Sequence, residues 1–203
     1  MKILYLCLSL MIFSSCSIFE DEVFENTDNN LMSEEDIIKE KSPPFSFFKA
    51  LQSVEREEIE VSDEYNKLIT KPFGYAAWVG HSSFVINNYD LNIISDPMFS
   101  DRASPFQFLG PKRLIEPAIG YKNLPKIDVV VISHNHYDHL DLKSVKKLNK
   151  LNPDTIFLVP LKLKNWFLSK GIKNVYEFEW WESKIIENTT FTFVPVQHLS
   201  LIH

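Results

Sequence analysis

The stretch that most constrains this chain runs from Ser133 to Asp141 and reads S-H-N-H-Y-D-H-L-D. It follows Asp128 and the apolar run Val129-Val130-Val131-Ile132, which has the length and branching of a buried strand. Three histidines and one aspartate therefore sit within six positions at the mouth of that strand. A core has no use for so many polar rings, and a solvated loop has no reason to concentrate them. A metal centre has both needs. In an extended segment, residues two apart project to the same side. His134 and His136 are thus expected to grip one metal. Asp138 and His139 lie just past the strand, where the chain turns, and are expected to point to a second position nearby.

The residue types suit that chemistry. Zinc accepts imidazole nitrogen and carboxylate oxygen, and a catalytic site keeps one position open for water. Bound metal lowers the pKa of that water from about 15.7 to roughly 7. Four of the six histidines (His134, His136, His139 and His198) have a use in one such site. The chain shows no serine or cysteine nucleophile elbow and no glycine-rich phosphate loop.

Composition narrows the partners. The 203 residues are 45% hydrophobic, enough for one domain with a real core. Lys and Arg total 21 against 27 Asp and Glu, a formal net charge of -6. That balance excludes the basic footprint of a nucleic-acid binder. The one basic cluster, Lys143, Lys146, Lys147 and Lys150, has the spacing of a solvated helix face.

Three regions are expected. Residues 1–16 hold a basic start, an apolar run over Ile3 to Phe13, and Ser14-Ser15-Cys16. The run is too short to span a bilayer and resembles a bacterial lipoprotein signal, with Cys16 as the lipidated first residue of the mature chain. The protein would then be exported and anchored on the periplasmic side of a membrane. Residues 17–44 form an acidic, weakly apolar tether ending at Pro43-Pro44, with a short helix possible only over Ser33–Lys39. Residues 45–203 form the folded part.

Within that part, strands are expected at Tyr75–Val79, Ser83–Ile86, Leu91–Ser95, Asp128–Ser133, Thr155–Val159, Val175–Phe178, Lys184–Glu187 and Thr190–Pro195. Asn87-Asn88 marks a hairpin turn. Helices are expected at Leu142–Leu151, capped by Asp141, and at Leu161–Lys170, stopped at Gly171. The first would bury Leu142, Val145, Leu148 and Leu151. A loop from Met98 to Leu124 is long enough to be functional or packed by its own side chains. The fold class is mixed α/β (α+β), with the candidate ligands on loops at one sheet edge.

The Ser133–Asp141 motif after an apolar strand resembles the signature of the metallo-β-lactamase fold superfamily. Further blocks resemble one branch of it. They are Trp78-Val79-Gly80-His81-Ser82-Ser83-Phe84, the run from Ser95 to Pro105, Phe108 to Arg113, Phe157 to Leu161, Trp180-Trp181-Glu182 and Pro195 to His198. That branch is the N-acyl-phosphatidylethanolamine-hydrolysing phospholipase D family. The resemblance covers about Phe73 to Ser200.

It implies an αββα sandwich, of which this chain codes the first half, with most of the second sheet missing. It implies two zinc ions: His134, His136 and His198 on the first, Asp138 and His139 on the second, with Asp138 also catalytic. The implied reaction is hydrolysis of a membrane phospholipid phosphodiester by a metal-bridging hydroxide. Family members continue well past His198 and there supply a bridging aspartate and a final histidine; here the chain stops at His203, which as a terminal residue is expected to be frayed. The chain alone is therefore expected to be inactive, with an uncovered apolar face that calls for a complementing chain or a second copy. The alternatives are another hydrolase of the superfamily, acting on a lactone, thioester or sugar phosphate, or a non-catalytic remnant.

Single residues carry smaller expectations. His81 after Gly80 is expected to be a hydrogen-bonding turn residue rather than one that faces substrate. Asp96 before Pro97 is equally suited to orienting a ligand histidine and to shaping a turn. Arg102, Lys112 and Arg113 could take a phosphate, though loop charges more often face solvent. Trp180-Trp181 is expected to pack rather than touch lipid.

Overall fold

The structure is a computed structural model, and it describes residues 64–68 and 74–196. The signal and tether regions, Cys16, the short helix over Ser33–Lys39, His198 and His203 lie outside the described residues. No helix among the described residues is long and apolar enough to cross a membrane.

Among the described residues, three helices and eight strands are seen: α1 (Glu64–Leu68), β1 (Tyr75–Gly80), β2 (Ser83–Asn87), β3 (Asn92–Ser95), β4 (Val129–Val131), α2 (Leu142–Leu151), β5 (Ile156–Pro160), α3 (Lys164–Ser169), β6 (Val175–Phe178), β7 (Ser183–Ile186) and β8 (Thr189–Thr192). Strands β1 to β6 form one sheet in sequence order; β7 and β8 form a separate hairpin. The first three strands run antiparallel, joined by tight turns. Strands β3 to β6 run parallel, which requires crossovers: the long loop from β3 to β4, then α2, then α3. The mixed α/β class expected from the sequence is the class observed.

Burial explains the strand sequences. Val129 and Val130 are both fully buried, because both faces of β4 are covered. Register places Val85, Ile94, Val130 and Phe157 in one row. That row packs against Val145 and Leu148 of α2 and Phe167 of α3 in the larger core. The opposite face carries Ile93, Val129 and Leu158, against Ile186, Phe191 and Phe193 of the β7–β8 hairpin. Asn88 of the β2–β3 turn donates to Thr189, and Asn188 donates to Asp90 over 2.9 Å, fastening that hairpin to the sheet. On β1 and β2 the same face is open: Trp78, Phe84 and Ile86 are exposed.

Several elements differ from the sequence expectation. Helix α2 spans the expected residues, and its four lysines face solvent. Its two end leucines do not pack, however: Leu142 is 36% and Leu151 55% exposed, so only the middle of the helix reaches the sheet. Helix α3 starts at Lys164 rather than Leu161, because Lys162 takes a left-handed φ of 73° before the helix. Trp181 is exposed rather than packed, since its left-handed φ of 68° turns it outward.

The long loop is packed by its own side chains. Arg113 donates to the carbonyls of Ser100, Ile115 and Met98. Arg102 donates to Gly110, and Gln107 accepts from the Arg102 amide while donating to its carbonyl. These two guanidiniums are thus engaged by the loop backbone. Asp141 ties the loop to α2: its carboxylate caps the helix at the Lys143 amide over 3.1 Å, accepts from the Ser100 amide over 3.0 Å and takes the Ser144 hydroxyl. Replacing Asp141 by Ala strands a buried amide and removes a cap. The expected cost is about 2 kcal/mol; an unchanged urea midpoint would contradict this account.

Candidate metal centre

The site is assembled where β3 and β4 end. Strand β4 stops at Val131, so the histidines lie beyond the strand, in a bend and turn. The extended-strand argument for pairing His134 with His136 is therefore corrected: the amides of His139 and Leu140 donate to the carbonyl of His136, curling the segment back. The curl brings the rings together all the same. His134 Nε2 stands 3.1 Å from His136 Nδ1. The rings of His134 and His139 are 4.0 Å apart.

Asp96 organises the other side. It follows β3 with a φ of 36°, a strained value that a short polar side chain tolerates. One carboxylate oxygen accepts from the Ser133 amide and the other from the Ser133 hydroxyl, each at 2.7 Å. That second oxygen also meets His139 Nδ1 at 2.9 Å. An ionised carboxylate only accepts, so Nδ1 of His139 carries the proton and Nε2 is left as the donor atom for a metal. Asp96 thus orients a candidate ligand, as one of its two sequence readings required. Ser83, fully buried, donates to the Asp96 carbonyl and accepts from the Met98 amide, fixing the chain after β3.

Asp138 Oδ2 lies 3.6 Å from His139 Nε2. It also lies 3.0 Å from Nε2 of His81. His81 sits in the β1–β2 turn, as expected, but its imidazole reaches into the site, which sequence reasoning missed. The available signal was its type: that turn position, with a left-handed φ of 50°, suits Gly or Asn.

The electrostatics follow from this crowding. Burial pushes the Asp138 carboxyl up, but His139 and His81 beside it outweigh burial and hold it below its ordinary value of 3.8. Burial pulls His139 down, and the hydrogen bond and charge of Asp96, with the charge of Asp138, outweigh it and raise the ring above 6.5. The structure brings together His134, His136, Asp138 and His139 of the candidate ligands. Their nitrogen and oxygen donors are of the kind that zinc, iron or manganese accepts.

Comparison with known proteins places the chain in a family. Residues 91–203 match the family described as "Beta-lactamase superfamily domain". The chain belongs to that family, whose fold is the metallo-β-lactamase fold. It is 38% identical over 133 residues to N-acyl-phosphatidylethanolamine-hydrolyzing phospholipase D 1 of Caenorhabditis elegans, covering 61% of this chain and 37% of that protein. It is 39% identical over 132 residues to the mitochondrial N-acyl-phosphatidylethanolamine-hydrolyzing phospholipase D of Saccharomyces cerevisiae, covering 62% of this chain and 27% of that protein. The chain thus spans about a third of the length of these relatives. Among solved structures it is similar to CmlA, a diiron beta-hydroxylase from Streptomyces venezuelae, with a TM-score of 0.49 and 21% identity over 63% of this chain and 25% of that one.

A pH dependence follows for the metal-free chain. His139, with its raised value, contributes stability that is fully present below 6.5 and lost as pH rises through the folded value. Asp138, with its lowered value, contributes stability that is present above 3.8 and lost as pH falls through the folded value. The urea midpoint should fall from about pH 6 to about pH 9, and His139→Gln should flatten that fall. An identical profile in the variant would contradict the assignment.

Proposed function

We propose that the chain carries the metal-binding part of a zinc-dependent hydrolase that cleaves phospholipid phosphodiesters, of the N-acyl-phosphatidylethanolamine phospholipase D type. The observation that carries this reading is the convergence of His134, His136, Asp138 and His139 beyond the end of β4. His134 and His136, joined by His198 from outside the described residues, would hold one ion. Asp138 and His139 would hold the other. When bound, such a pair activates water and stabilises negative charge on a phosphoryl oxygen.

The chain's own residues make the site ready. Asp96 removes one rotational freedom from His139 by accepting its Nδ1 proton. The bend at His136 sets His134 and His136 nitrogen to nitrogen. Tyr137, 42% exposed between these ligands, stands at the solvent side. The phosphodiester assignment is supported by the similarity to the worm and yeast enzymes. The loop that leaves β3 also exposes Phe106, Phe108 and Leu114, apolar groups suited to a lipid surface. Lipid anchoring at Cys16 would hold the protein at the membrane that supplies its substrate.

Purified full chain is expected to take up zinc, with uptake reduced in His134→Ala. Release of phosphatidic acid from N-acyl-phosphatidylethanolamine vesicles is expected when the zinc-loaded chain is supplied with a complementing chain, and chelation or His134→Ala is expected to reduce that release to background. Turnover of lactones or thioesters with the phospholipid left intact would overturn the substrate. A folded chain that takes up no divalent metal would overturn the whole reading.

A further inference from the structure

We propose that the exposed face of α2 docks against an anionic phospholipid surface. That face carries one sign of charge. A helix turns about 100° per residue, so Lys146, Lys150, Lys143 and Lys147 fall within one arc of about 100°. All four are exposed, while Ser144, Val145 and Leu148 on the other side are buried. The helix sequence, LKSVKKLNKL, contains no acidic residue, so no pair one turn apart offsets these charges. Among the described residues, none of the four lysines forms an ion pair. In a chain of net charge -6, a face that merely keeps a helix in water would be expected to mix signs.

The neighbouring loop extends the patch. The Tyr121 hydroxyl donates to Ser144 over 3.1 Å, and the Asn152 amide group donates to the Ile127 carbonyl over 2.9 Å, just past the end of α2. The segment between those contacts follows the helix and adds the exposed Lys122 and Lys126. Residues 117–127 and 142–151 together hold six lysines and no Asp or Glu. Asp141, at the start of the helix, is buried and engaged by the Lys143 and Ser100 amides.

The exposed leucines of α2 point to lipid. Leu142 and Leu151 lie about 40° outside the two margins of the lysine arc. They are the two end leucines that the core leaves uncovered. Lysines flanked by exposed apolar groups suit the boundary of headgroups and acyl chains, where lysine stems lie along apolar surface and the ammonium stays in water. A nucleic acid fits less well. The patch holds no arginine, the side chain that grips phosphate in two-pronged fashion, and the chain as a whole is acidic. Lysine point charges suit a diffuse layer of anionic headgroups. The inference does not rest on the chemistry of the metal centre, but Asp141 caps α2 two residues after His139, so the patch begins beside that site.

The test is co-sedimentation of the full chain, kept metal-free with a chelator, with sucrose-loaded vesicles. One set is phosphatidylcholine alone; in the other about a third of the lipid is phosphatidylglycerol. Each lysine near an anionic surface strengthens binding about fivefold. The chain is therefore expected to partition onto the anionic set at least about tenfold more strongly. That preference should vanish at about 1 M salt, where the screening length falls to about 3 Å. Combining Lys143→Gln, Lys146→Gln, Lys147→Gln and Lys150→Gln should weaken anionic partitioning at least about tenfold and leave neutral partitioning unchanged. The four corresponding changes to Arg should retain it. Any binding through Cys16 or the residues ahead of the fold is common to all three proteins and to both vesicle sets. Equal partitioning of the parent onto the two sets would overturn the proposal. So would a glutamine variant that binds anionic vesicles like the parent, or an arginine variant that does not. Tighter binding to a DNA duplex than to anionic vesicles at the same salt would overturn the choice of partner.

Discussion

The carboxylate of Asp96 holds the site to the fold. Its amide continues the pairing of β3 with β4 by donating to Val131 at 2.8 Å. Its two oxygens then reach across to the Ser133 amide and hydroxyl and to the His139 ring. One side chain, only 6% exposed, therefore joins the ends of two parallel strands and orients a candidate ligand. A carboxylate buried to that degree is tolerable only because all these donors face it. It is one of the contacts that fix the bend from His134 to His139 relative to the sheet.

The architecture explains why the site is here. In open α/β sheets, ligands gather outside the carboxyl ends of parallel strands, where the loops diverge. Strands β3 and β4 both end at this edge, one delivering Asp96 and the other the histidine segment. The antiparallel β1–β2 turn adds His81 at the same edge. The buried rows of valine, isoleucine and phenylalanine beneath fix the register of the strands, and so the spacing of everything they carry.

Much of this was legible in the sequence, for identifiable reasons. Helix α2 and strand β6 fall on the expected residues, because strong periodicity and clear stop signals bound them. The donors in the histidine motif were legible from spacing alone, although the reason for their meeting is a bend rather than an extended strand. The contact of His81 with Asp138 was not legible, because it spans 57 residues that no local rule encodes. Arg102 and Arg113 read as loop charges that could take a phosphate but more often face solvent. Their guanidiniums are held by loop carbonyls, and which carbonyls a loop presents is set only once it has folded. The end leucines of α2 fit a helical stripe, but the stripe does not reveal how much of a helix meets its sheet.

The central claim is that the segment after β4 builds an imidazole-rich metal centre. X-ray absorption at the zinc edge of the loaded full chain tests it most directly. The account predicts nitrogen and oxygen neighbours at about 2.0–2.1 Å, the multiple-scattering pattern of coordinated imidazole, and no sulfur neighbour. Zinc surrounded only by water and carboxylate oxygen, with no imidazole scattering, would contradict it.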